Sequence, residues 1–373
     1  MRINFVLPYA GPNGGTRVVA IYAEILRRRG HDVVVISTPR RPPALKQRMK
    51  ILLESKFSPS SAAANVPSYF DGIDVEHRII DRYRPITERD VPDGDVVVAT
   101  WWETASWIAH FTDAKGAKVY FMQDYGEAPG QPLDEIVQTW SLPLRIITIS
   151  QFLLDLLQSH GIHDAILVSN GVDHDLFQAP ARAKQPEPTV GYVYCNQPQK
   201  GCETIRRAIQ IARQRHSNIK VVGFGVGRPK DPALLPENAQ FQWSCEDAVL
   251  PSIYSQCDAW IFGSRREGFG LPILEAMACR TPVIATAAGA APELLAHGGG
   301  RLIDPDDPQG MAAEIERICK MTTIEWQSLS QSAHETAIHN TWDRAADLFE
   351  RVLIDSIERG SPNKPAIVYP QDG

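Results

Sequence analysis

The feature that most constrains the fold is an alternation of short apolar runs with helix-patterned stretches, repeated in two blocks. Residues 2–7 are mainly apolar, 11–15 form a Gly/Pro/Asn loop, 16–29 carry apolar residues at helical spacing, Gly30 ends that pattern, and 32–37 are mainly apolar again. A strand that is apolar on both faces is buried on both, which is the signature of a parallel sheet covered by helices. Further strands are predicted over 95–100, 118–122, 146–149 and 165–168. From 180 to 188 the chain turns rich in Pro, Ala and Lys without periodicity, which predicts a linker. A second alternation follows, with strands over 189–194, 220–224, 259–262, 282–285 and 301–303 and helices over 202–215, 272–279 and 309–319. The pattern therefore predicts two doubly wound α/β domains.

Length agrees, because 373 residues exceed one ordinary core. Apolar content of 43% and charged content of 22% are those of a water-soluble globular chain. A net charge of −6 argues against a general nucleic-acid binder. No apolar run reaches membrane-spanning length, and the start MRINFVLPYAG shows no secretory cleavage pattern, so the expected location is cytoplasmic. The six cysteines, 195, 202, 245, 257, 279 and 319, contain no C-x-x-C and read as reduced thiols.

Chemistry concentrates in SRREGFGLPILEAMACRTPVIAT, which begins at Ser264. Glu267 and Glu275 stand eight residues apart around the turn Gly268-Phe269-Gly270. Pro272 then opens a helix, since its fixed φ and missing N–H cost nothing in a first turn. Bare backbone N–H groups in the turn and the positive helix end make a seat for phosphate. Two hydroxyl-gripping carboxylates beside such a seat suit a nucleotide sugar. In the same block Lys200 stands at a helix start, where a cation opposes the helix dipole unless an anion accompanies it. A diphosphate is the expected anion.

The segment resembles the E-x7-E motif of family-4 retaining glycosyltransferases of the GT-B fold. GPNGGTRVVAIYAEILRRRGHDVVVIS, VSNGVDHDLF, the Lys200-Gly201 helix start and TWDRAADLFERVL fall in that family's order, covering nearly the whole length. The resemblance implies an acceptor-side domain over 1–180, a nucleotide-sugar-binding domain over 181–341, and a cleft between them. It also implies a helix over 342–358 that packs back on the first domain, before a loose tail over 359–373. It implies transfer of a sugar from a nucleoside diphosphate to a hydroxyl of a glycan, glycolipid or small molecule, with retained configuration, in surface-polysaccharide or lipopolysaccharide assembly. No cofactor or metal is expected.

Ligands of open parallel sheets bind beyond the carboxyl ends of the strands. That rule and the resemblance together assign donor contacts to Gly15, Lys200, Arg265, Glu267, Gly268, Phe269, Gly270, Leu271 and Glu275. Glu267 is expected on the sugar hydroxyls and Glu275 on the ribose. Within the loop Gly11–Thr16, Thr16 is expected to cap the following helix. Trp101, Trp102, Glu103 and Gln123 are candidate acceptor contacts, and Asp124 joins Glu267 as a candidate catalytic residue. Family members often carry a His where Gln123 and Asp124 stand, and an Arg where Tyr194 stands. Phosphate neutralisation is therefore assigned to Lys200, Arg265, Arg266 or Arg17.

Asp93-Gly94-Asp95 and Asp173-His174-Asp175 have D-x-D spacing but read as turns, His31 reads as structural, and Gly223-Phe224-Gly225-Val226-Gly227 lacks the helix of a dinucleotide fingerprint. The basic segment 40–56 holds six Lys/Arg against one Glu. It reads either as a solvated loop and helix or as a peripheral contact with an anionic membrane carrying a lipid-linked acceptor. The rival functions are a nucleotide-sugar 2-epimerase and a glycan- or nucleotide-binding module without turnover. A phosphorylase of the same architecture is disfavoured, because no lysine looks suited to pyridoxal phosphate.

Overall fold

The computed structural model describes residues 1–42, 68–126, 131–229 and 231–360. The expected membrane contact through 40–56, apart from residues 40–42, and the tail over 361–373 lie outside the described residues. Two compact units divide the chain. Unit 1 holds Met1–Thr148, Leu157–Ile166 and Ala346–Gly373, and unit 2 holds Ile149–Leu156 and Leu167–Ala345.

The first sheet has seven strands. In chain order the elements are β1 (Arg2–Leu7), α1 (Gly14–Arg28), β2 (Asp32–Ser37), β3 (Glu76–Ile79), β4 (Val96–Ala99), α2 (Trp102–Ile108), β5 (Ala117–Met122), α3 (Leu133–Thr139), β6 (Arg145–Thr148), α4 (Gln151–Ser159) and β7 (Ile166–Leu167). Their order across the sheet is β3-β2-β1-β4-β5-β6-β7, and the pairings from β3 to β6 are parallel. The strand order reverses at β1, so its carboxyl end beside that of β4 is the topological switch point. Helix α1 starts two residues earlier than its apolar pattern. Asn13, not Thr16, is its cap: the Asn13 side chain accepts the Thr16 N–H at 2.9 Å, because Asn13 is extended while Thr16 is already helical.

The second sheet follows the same plan. Its elements are β8 (Thr189–Tyr194), α5 (Cys202–Arg213), β9 (Lys220–Gly225), β10 (Gln240–Trp243), α6 (Leu250–Tyr254), β11 (Ala259–Phe262), α7 (Leu271–Ala278), β12 (Val283–Thr286), α8 (Ala291–Leu294), β13 (Gly300–Ile303), α9 (Pro308–Lys320), α10 (Thr323–His339) and α11 (Trp342–Arg359). All strands are parallel in the order β10-β9-β8-β11-β12-β13, which puts the switch point between β8 and β11. From Ala346 onward α11 belongs to unit 1. There Phe349 stacks on Tyr22 at 4.4 Å and meets Phe121 edge-on at 5.1 Å.

Residues 180–188 have no helix or strand before Thr189, as their composition suggests, but they are tied down. Arg182 donates to the Ser255 carbonyl at 2.8 Å and lies over the Trp326 ring at 4.3 Å, while Lys184 donates to the Met321 carbonyl at 3.0 Å. Fully buried Asp258 anchors the far side, accepting the Gln185 and Thr189 N–H groups at 2.9 and 3.0 Å. All six cysteines are free thiols.

Candidate active site

The strands on either side of the unit 2 switch point bring the Lys200 and Glu267 loops together. After β8 a short turn, Pro198–Lys200, ends at Gly201, which is left-handed (φ 66°) and precedes α5. A β-carbon on Gly201 would stand 1.8 Å from the Gly263 carbonyl oxygen, so only glycine lets this loop pass so close to the end of β11. Lys200 Nζ then lies 2.5 Å from Glu267 Oε1, and the Ser264 hydroxyl donates to the same oxygen at 2.9 Å. Among the described residues no other hydrogen bond reaches the Glu267 carboxylate. The loop after β11 thus returns Glu267 to Lys200 as a counter-charge within the protein.

The glycine turn is as the sequence suggests, with two refinements. Gly270 is left-handed (φ 97°) beside the Phe262 ring, and α7 opens at Leu271, one residue before Pro272. The Phe269 ring is buried, its carbonyl accepting the Ala290 N–H at 2.8 Å; Gly268 is buried and Leu271 half-buried. Gly289 (φ 58°) faces this turn, and a β-carbon there would meet the Phe269 carbonyl at 2.5 Å. Glu275 sits inside α7 at only 4% exposure and accepts a hydrogen bond from the Tyr254 hydroxyl at 2.7 Å.

Arg265 is paired within unit 2. Its guanidinium grips Asp306 at 2.5 and 2.7 Å, and its N–H donates to the Gln199 carbonyl at 2.8 Å. Its charge is thus matched within the protein, and its backbone ties the two switch-point loops together.

In unit 1, Gly15 lies in the first turn of α1, and its carbonyl accepts from Gln123 Nε2 at 3.2 Å. The loops after β1 and β5 therefore meet. Asp124 accepts the N–H of its neighbour Tyr125 at 2.7 Å, which makes it part of a local turn. Trp101 and Trp102 are half-buried at the start of α2, and Trp102 Nε1 is buried with no hydrogen-bond partner among the described residues. Burial raises the Glu103 carboxyl above its usual range, with Arg41 pulling it down. Thr104, which the sequence does not flag, holds this turn: its hydroxyl accepts the Thr100 and Trp101 N–H groups, each at 3.0 Å.

The weaker motifs are structural. Asp95 accepts the Arg2 N–H at 2.6 Å and Asp93 pairs with Lys115 at 2.6 Å. Asp173 accepts the Asp175 and Leu176 N–H groups, and His31 Nε2 sits 2.7 Å from Glu350. Among the described residues no group of three His, Cys, Asp or Glu is arranged to hold a metal ion, and no helix is long and apolar enough to cross a membrane.

Two family models meet end to end on the chain. The model described as Glycosyltransferase Family 4 matches residues 12–176, and the one described as Glycosyl transferases group 1 matches 173–336, the span holding Lys200, Glu267 and Glu275. The chain is a family-4 glycosyltransferase of the GT-B fold. The glycosyltransferase is 27% identical over 361 residues to a GDP-mannose-dependent alpha-mannosyltransferase of Mycolicibacterium smegmatis, covering 90% of this chain and 92% of that one. It is 31% identical over 211 residues to a D-inositol 3-phosphate glycosyltransferase of Salinispora arenicola; the match takes in 51% of this chain and about half, 47%, of the relative's length. Among solved structures, Anabaena HepE in complex with UDP and glucose superposes with a TM-score of 0.71 at 19% identity, covering 95% of this chain and all of that one. Sucrose-phosphate synthase of Thermosynechococcus elongatus does so with a TM-score of 0.71 at 17% identity, covering 96% and 100%. At these identities the two structures speak for the fold.

Proposed function

We propose that this glycosyltransferase moves a hexosyl group from a nucleoside-diphosphate sugar to a hydroxyl acceptor with retention of anomeric configuration. The observation that carries this reading is the Lys200–Glu267–Ser264 cluster at the carboxyl ends of β8 and β11, with Glu275 eight residues beyond Glu267. Lys200 neutralises the diphosphate and Glu267 accepts from the sugar hydroxyls. Glu275 accepts from the ribose, and the N–H groups of Gly268, Phe269, Gly270 and Leu271 face the phosphates. Fixed charge and dipoles aimed at the leaving group stabilise it as the bond breaks, with no metal in the scheme. The bond from the anomeric carbon to the diphosphate oxygen breaks and the acceptor oxygen bonds to the same face. Its proton passes to the departing phosphate oxygen.

On the acceptor side, Trp101 and Trp102 offer flat faces to a sugar ring and Glu103 and Gln123 offer hydroxyl partners, while Asp124 serves with Glu267 as a candidate catalytic residue and Gly15 as a donor contact. GDP-mannose is the first donor to test, supported by the relative that aligns over 90% of the chain. The proposed setting is assembly of a surface polysaccharide or lipopolysaccharide, supported by similarity over 69 residues to an Escherichia coli O-antigen chain mannosyltransferase. Incubation with GDP-mannose, without and with candidate acceptors, tests the reading by NMR of the products. Slow hydrolysis alone and an α-linked product with acceptor are expected. An epimerised sugar, or a β-linked product, refutes it.

A further inference from the structure

Tyr254 closes α6 and is fully buried. Its ring meets Trp260 edge-on at 4.4 Å, with Phe177 and Phe224 packed edge-on at 6.1 and 5.7 Å. Its carbonyl accepts the Thr281 hydroxyl at 2.7 Å. Ring and backbone are therefore both fixed by neighbours. The phenol donates to Glu275 Oε2 at 2.7 Å, whereas the indole Nε1–H of Trp260 in the same aromatic box has no hydrogen-bond partner among the described residues. A phenylalanine would fill the same volume without a polar atom to satisfy. The hydroxyl is a burial cost that its bond to the carboxylate offsets.

We propose that Tyr254 is the positioning residue of Glu275. Its hydroxyl fixes the plane of the carboxylate inside α7 and so sets the direction in which Glu275 accepts from a vicinal diol. The inference rests on the reading of Glu275 as the group that holds the ribose. A carboxylate whose rotation is fixed discriminates a diol from a single hydroxyl, whereas a freely turning one adapts to either. Tyr254 thereby governs selectivity for the ribose and contacts no ligand itself.

The test is titration calorimetry on the full chain with GDP, 2′-deoxy-GDP, UDP and 2′-deoxy-UDP. It uses wild type, Tyr254→Phe, Glu275→Gln and the double variant. Wild type should prefer the ribonucleotide. Tyr254→Phe should shrink that preference about tenfold, the size of one hydrogen bond to a charged group, with deoxynucleotide affinity nearly unchanged. In the Glu275→Gln background, Tyr254→Phe should change nothing further. If Tyr254→Phe weakens ribo and deoxy forms alike while Glu275→Gln acts selectively, the positioning role is overturned and the ribose role of Glu275 stands. If Glu275→Gln itself is unselective, or wild type binds none of the four, the underlying reading falls and this inference with it. Should Tyr254→Phe fail to fold, 3,5-difluorotyrosine at 254 keeps the shape and donates more strongly. It should raise the ribose preference, and an unmoved preference overturns the proposal.

Discussion

Lys200→Ala separates two arguments of opposite sign. On the helix dipole alone, removing a cation from the start of α5 would stabilise the protein by about 0.3–1 kcal/mol. The ion pair opposes this. Two unit charges 2.5 Å apart attract by about 7 kcal/mol at an effective dielectric near 20, and desolvation and side-chain ordering cancel most of that. The side chains are 33% and 17% exposed. They therefore lie between an exposed pair, about 0–1 kcal/mol, and a buried one whose partner is removed, about 3–5 kcal/mol. A net loss of about 1–2 kcal/mol is expected, since Glu267 is left half-buried and unmatched. In a melt this is a fall of about 2–8 °C for a unit of this size. If Lys200 also reads phosphate, the variant should lose about 2–4 kcal/mol more with GDP than with guanosine. Calorimetry with both ligands and a melt without ligand supply every number. Equal losses for nucleoside and diphosphate would show that Lys200 shapes the pocket only through Glu267. A variant as stable as wild type would show that the pair does no more than offset the dipole, and a more stable one that the dipole outweighs the pair.

Gly201→Ala places a residue at φ 66° with its β-carbon against the Gly263 carbonyl, so a loss above about 1–3 kcal/mol, with nucleotide affinity falling in parallel, is expected in melts and titrations; near-wild-type behaviour would mean that the two loops can separate cheaply. Burial pushes the Glu293 carboxyl up to about 7, the Gln151 N–H pulls it back, and the charge of Asp155 pushes it up again. A folded value above the unfolded one contributes stability in full below the unfolded pKa near 4.5 and loses it as pH rises through about 7. The melting temperature of wild type relative to Glu293→Gln should therefore fall between these pH values, and a flat difference would show that the carboxyl is not desolvated. Activity, assayed as release of GDP, should survive exhaustive treatment with EDTA; loss reversed by Mn²⁺ or Mg²⁺ would replace Lys200 by a metal in the proposed chemistry.

The interior of both sheets was legible in the sequence because strands buried on two faces read as unbroken apolar runs. The edges were not. β3 is Glu-His-Arg-Ile and β10 is Gln-Phe-Gln-Trp. Polar residues are what an edge strand needs to avoid pairing with another chain, and they erase the signal that identifies a strand. The glycine turn before α7 and the order of elements could likewise be read, since each depends on local backbone preference. Partners distant in the chain could not. That Glu267 answers Lys200, that Asp306 takes Arg265, and that Tyr254 holds Glu275 are consequences of parallel strands meeting, and nothing in the spacing of these residues announces them. The 180–188 segment makes the same point: Pro and Ala suggested slack, but Arg182 and Lys184 fasten it to unit 2.

The last helix bears on how the molecule is made. Phe349 completes the aromatic cluster of Phe5, Tyr22 and Phe121, so the beginning of the chain waits for its end. At about 5–20 residues per second, a ribosome needs roughly 10–40 s to travel from the close of β6 to Phe349. Unit 2 emerges whole in that interval. The order of completion is thus the reverse of the order of synthesis, and for that time the nascent first sheet carries an open apolar seam of the kind that chaperones recognise.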